Sequence, residues 1–131
     1  MEEHPNVEML RRAYAAYAAA DMEALDDLFA DDVIWHVPGR SPVAGDHEGK
    51  EEVLGIVTRL MELTDGTAHL EAYALMADGS HGVALVESTA SRHGATRTSR
   101  LVQVFRISGT QITELWSYPG DPYGDDLFLS S

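Results

Sequence analysis

No cysteine occurs among the 131 residues of the chain. Disulfides, thiolate metal sites and a cysteine nucleophile are therefore excluded, while the redox compartment stays open. Basic residues are scarce: nine Lys and Arg stand against 22 Asp and Glu, for a formal net charge of −13. Nucleic-acid binding needs clustered cations that release counterions, and no such cluster is present. An anionic membrane surface repels the same charge. Apolar runs fall far short of a membrane span, and the opening MEEHPN lacks the apolar segment of a secretory signal. The expectation is a soluble, cytoplasmic protein with neither nucleic acid nor membrane as partner. Glycine-rich phosphate loops and G-x-S-x-G elbows are also missing. Asp46, His47 and Glu48, taken with His36 or His69, match no established metal spacing and read better as favourable charges before a helix. Neither a metal nor a cofactor is expected.

What is present suits one domain spanning 1–131, with 44% hydrophobic residues to fill a core. Asn6 can cap a helix whose Val7, Leu10, Tyr14 and Tyr17 share a face. Asp21 can cap a second helix, Met22 to Ala30, before a β-branched and aromatic strand from Val33 to Val37. The Pro- and Gly-bearing stretch from Arg40 to Gly49 carries no clear period. A third helix runs from Lys50 to about Leu63. Four strands follow: His69 to Met76, Val83 to Ala90, Thr98 to Ile107 and Gln111 to Tyr118, separated by tight turns. The tail PGDPYGDDLFLSS reads as turn-rich, with Leu127 to Leu129 able to dock. The order predicts an α+β fold in which helices cover one face of a curved antiparallel sheet, leaving a cone-shaped cavity for a small apolar molecule.

Three segments carry a family resemblance. They are DMEALDDLFADDVIWHVPG (Asp21 to Gly39), HEGKEEV (His47 to Val53) and VFRISGTQITELW (Val104 to Trp116). Together they resemble the SnoaL-like and ketosteroid-isomerase-like branch of the nuclear transport factor 2-like superfamily. That resemblance implies the same cone, wrapped around N-terminal helices, and homodimerisation through the open sheet face. Ketosteroid isomerases use an Asp base and an oxyanion hole built from a Tyr and a protonated Asp, as the general account of such sites describes. Carried over, those positions fall on Val37, Ala13 and about Gln103, so steroid isomerisation by that machinery is not expected. Tyr14, one residue from the Tyr position, is about 100° around the helix and expected to aim elsewhere; Tyr17, one turn on, keeps its face.

Strand alternation sends Trp35 inward with Val37 and turns His36 to the opposite face. His36 then reads either as a hydrogen-bonded residue at a sheet edge or dimer contact, or, given a bulge near Pro38, as an acid/base. Gln103 is the lone polar side chain between Leu101 and Phe105, either bonded structurally or offered to a ligand. Asp121 loosely resembles the late carboxylate base of SnoaL-like cyclases, or begins an Asx turn. The catalytic candidates are thus His36, Gln103 and Asp121. The ligand-contact candidates are Tyr14, Tyr17, Trp35, Val37, Leu101 and Trp116, although register turns Trp116 toward sheet packing or a dimer contact. Two functions remain open: a cofactor-free isomerase, cyclase or dehydratase acting on an apolar molecule, and a non-catalytic binding or dimerisation module.

Overall fold

The computed structural model describes residues 3–130. Helix α1 (Pro5–Ala18) starts with proline in its first turn, where an amide hydrogen has no intrahelical use. The cap is His4, whose Nδ1 accepts from the Asn6 amide at 3.1 Å. Asn6, expected as the cap, lies inside the helix and donates its side-chain amide to the Asp78 carbonyl at 2.9 Å. Helix α2 (Met22–Leu28) is capped by Asp21, which accepts from the Ala24 amide at 3.1 Å. It ends early because Phe29 and Ala30 already belong to strand β1 (Phe29–Val37).

Strand β2 (Gly45–Glu48) follows within the stretch that has no sequence period, and α3 (Lys50–Leu63) matches its expected bounds. The meander then runs through β3 (His69–Ala77), β4 (His81–Arg92), β5 (Ala95–Ser108) and β6 (Gln111–Pro119). A final helix, α4 (Pro122–Ser130), occupies the tail read as turns.

The six strands form one curved, unclosed sheet in the order β2-β1-β6-β5-β4-β3. It is not wholly antiparallel, because β1 runs parallel to β6. Parallel neighbours require a long crossover, and α3 with the whole meander supplies it. The core gathers on the face beneath the helices. Leu10, Val33, Val53, Val86 and Ile112 are each fully buried and come from α1, β1, α3, β4 and β6 respectively. Each such side chain contributes about 1.5–3 kcal/mol relative to exposure, so every layer is tied into one apolar cluster. Among the described residues, no helix is long and apolar enough to cross a membrane.

Candidate functional site

Between the inner face of the sheet and the helices lies a cavity of about 160 Å³. Trp35 and Val37 of β1, Leu101 and Gln103 of β5, and Tyr17 of α1 line it, as the inward register of each strand requires. A second space of about 60 Å³ shares Tyr17, Trp35 and Gln103 with it and adds Tyr14 and Phe105. The walls are mainly apolar; besides the hydroxyls of Ser41, Thr64, Ser88 and Ser99, their polar groups are a buried cluster around Gln103 and the charged set at the α4 end.

In the buried cluster, Gln103 pairs in register with Ser117 of β6, and both side chains are buried. The Tyr14 hydroxyl donates to Gln103 Oε1. Gln103 Nε2 donates to Ser117 Oγ at 3.1 Å, and Trp35 Nε1 donates to the same oxygen at 2.9 Å. Tyr14 therefore does not aim elsewhere. The buried face of α1 takes in both Ala13 and Tyr14, since an apolar stripe more than about 100° wide admits neighbouring positions, and the long phenol reaches the sheet. Burial pushes the Tyr17 hydroxyl up to about 12 and the Tyr14 hydroxyl well above its ordinary range, so both stay protonated donors.

At the other place, α4 contributes Asp125, Asp126, Phe128 and Leu129 to the wall. Arg97 of β5 holds this helix, donating Nε to Asp125 Oδ1 at 2.8 Å and pairing with Asp121 at 3.2 Å. Gly124 makes room for that bridge, since a Cβ there would lie 2.5 Å from Arg97 Nη2. Asp126 Oδ2 accepts from the Arg40 amide at 2.9 Å. A side chain at Gly39, whose φ is +100°, would meet Asp126 Oδ1 at 2.5 Å. Asp121 is exposed and does not line the cavity. The Gly124 amide, and then Arg97, hold its carboxyl below the ordinary range, and it starts α4 as a turn residue.

His36 and Trp116 lie on the outer face of the sheet and touch neither space. The reason is strand alternation, with no bulge near Pro38 to rotate His36. Its ring stacks on Trp116 at 5.4 Å, with Nδ1 2.8 Å from Asp46 and Nε2 2.6 Å from Glu114. Arg106 lies 3.5 Å from Glu114 and covers the other part of Trp116 at 5.7 Å. Of the three catalytic candidates, the cavity wall thus contains Gln103 alone. Of the ligand-contact candidates, Tyr17, Trp35, Val37 and Leu101 line the larger space, Tyr14 the smaller, and Trp116 neither. Ser117 went unnamed at the sequence level, although the register that turns Trp116 outward turns its neighbour inward. Among the described residues, no group of three or more His, Cys, Asp or Glu is arranged to hold a metal ion.

A cone-shaped α+β fold with an apolar cavity between sheet and helices defines the class. The SnoaL-like domain family matches residues 10–115. An uncharacterized protein of Mycobacterium tuberculosis is 30% identical over 130 residues, 98% of each chain. The structure of Bal32a from a soil-derived mobile gene cassette is 31% identical and superposes with a TM-score of 0.91 over 95% of both chains. TerC, co-crystallized with polyporic acid, shares the fold at 18% identity and a TM-score of 0.84, over 95% of this chain and 98% of its own. The chain belongs to the SnoaL-like family, with a nuclear transport factor 2-like fold.

The outer cluster has a pH dependence of definite sign. Bonds from Glu114, then Asp46, raise the His36 pKa above its ordinary 6.5. A raised folded-state value means that the contribution is fully present below about pH 6.5 and is lost as pH rises through the folded pKa. Urea unfolding across that window should show stability falling with pH in the wild type. His36→Gln should flatten the fall, and an unchanged slope would show that the cluster is energetically silent.

Proposed function

We propose that the protein binds a small, largely apolar molecule in the cone cavity. One observation carries this reading: the wall is mainly apolar around about 160 Å³, and two of its buried polar side chains, Gln103 and Ser117, bond each other there. Apolar cavities of about 150 Å³ accept a benzene-sized solute, so one ring fills the larger space and the adjoining space extends it toward two. That the fold relative TerC was co-crystallized with polyporic acid is in keeping with a fold that takes up small molecules. In a Trp116→Phe background Trp35 is the remaining tryptophan and should report binding of indane by its emission. Ala90→Phe, which fills the cavity from β4, should weaken binding by about tenfold or more while far-ultraviolet dichroism is retained. Equal affinity in the filled variant would move the ligand elsewhere.

A catalytic reading as a cofactor-free isomerase, cyclase or dehydratase is favoured by Asp126, a carboxylate on the cavity wall with one oxygen bonded to the Arg40 amide. Its position on the wall supports a role as general base. Asp126→Asn keeps an acceptor for Arg40 but removes the base. The expected result is loss of deuterium exchange at the acidic C–H positions of bound 1-indanone with affinity retained. Exchange that is missing in the wild type, or unchanged in the variant, would leave binding alone.

The outer sheet face fits a second copy of the chain. Val102 and Val104 alternate there with Arg100 and Arg106, which pair with Glu87 and Glu114. A face carrying both signs is self-complementary across a two-fold axis, which matters for a chain of net charge −13. Sedimentation should give a dimer, with Val104→Glu converting it to a monomer; a monomeric wild type would remove this assignment.

A further inference from the structure

The hydrogen-bond directions around Ser117 settle more than the presence of a polar patch. An indole N–H can only donate, so Trp35 takes one lone pair of Ser117 Oγ at 2.9 Å. The protonated Tyr14 hydroxyl takes Gln103 Oε1. The amide NH2 accordingly faces Ser117 and takes the second lone pair at 3.1 Å. A serine hydroxyl has two acceptor pairs and one hydrogen. With both pairs filled, Ser117 can accept nothing more. Among the described residues no acceptor receives its hydrogen, and the side chain lies on the cavity wall.

At the α4 end, Arg97 is engaged by Asp121 and Asp125, while Asp125 and Asp126 both contribute carboxylates to the rim. A cavity with that rim and an apolar wall disfavours an anionic ligand.

We propose that Ser117 is the specificity-determining residue of the cavity, an obligate donor that selects an uncharged, one- or two-ring molecule bearing a carbonyl-type oxygen and rejects one that can only donate. This rests on the cavity being the binding site and adds the chemical class of the ligand. A site built to donate leaves its hydrogen unpaired against a donor-only group, and unpaired buried groups are what separate near-isosteres.

The test uses three bicyclic probes of similar size: 1-indanone, which offers a carbonyl, indane, which offers no polar group, and indole, which offers an N–H donor. Ligand-observed NMR titration of the wild type should rank 1-indanone about tenfold tighter than indane, as one added hydrogen bond provides, with indole no tighter than indane. Ser117→Ala should bring the affinity ratio of 1-indanone to indane down to about one. The carbonyl stretch of bound 1-indanone should lie at lower frequency in the wild type than in the variant.

Equal binding of 1-indanone and indane by the wild type, or a preference that survives Ser117→Ala, overturns the assignment and leaves the cavity reading standing. Failure of all three probes to bind removes both. Should Ser117→Ala not fold, because Trp35 and Gln103 lose their acceptor, Trp35→Phe replaces it. Removing one donor frees a lone pair on Ser117, so indole should gain about fivefold relative to indane. No such gain overturns the proposal.

Discussion

The two-residue period of β1, β5 and β6 divides this protein's polar residues into two populations that never meet. Trp35, Gln103 and Ser117 point toward the helices, whereas His36, Arg106 and Trp116 point outward. A pleated strand allows no intermediate choice unless a bulge intervenes. The irregularities in register lie between Phe29 and Ile34, between Ala72 and Ala74, and between Arg106 and Ile107. None rotates the end of β1. The imidazole is therefore committed to the outer face together with the carboxylates that raise its pKa, and the inner wall around Trp35 is left with an amide, hydroxyls and an indole.

That inner set is stable because its members bond one another. A buried amide or hydroxyl without a partner costs about 1–3 kcal/mol, and four polar side chains share the space beside Phe105 and Leu115. Every donor but the Ser117 hydroxyl has an acceptor: phenol to amide oxygen, amide nitrogen to serine, indole to serine. No buried side-chain nitrogen or oxygen among the described residues lacks a partner. The chain of bonds also has a direction, because it begins at groups that can only donate or stay protonated. Packing thereby fixes the polarity of the wall as well as its shape.

Much of this was legible from residues alone. The helical spacing of α1 and α3, the cap at Asp21, the turns at Asp78–Ser80 and Ser108–Thr110, and the inward aim of Trp35 and Val37 all follow from local chemistry. Two elements were hidden for physical reasons. Strand β2 has the sequence GDHE and a single inward residue, His47, so it has no apolar period. It exists because the edge of β1 offers it a ladder. Helix α4 contains Pro122, Gly124 and two adjacent Asp, a turn-like composition, and none of its residues is buried. Arg97 holds it from a strand 24 residues earlier, a contact outside any local window. Tyr14 was misjudged because angular offset from Ala13 was given more weight than the reach of a phenol.

The same reasoning explains why the isomerase pattern is absent without leaving the cavity featureless. Val37 lines the wall where that pattern places a carboxylate, and an ionised carboxylate there would face mainly apolar neighbours. The carboxylates that do reach the cavity come from α4, where Arg97 and the Arg40 amide neutralise or bond them. Charge is thus confined to the end where counter-charge exists, and neutral donors occupy the part of the wall lined by Trp35 and Leu101. A molecule that settles in this cone meets an uncharged polar anchor beside Gln103 and carboxylates only at the α4 end. That asymmetry, set by which strands and helices can supply a partner for each charge, is what would orient the small molecule proposed for this cavity.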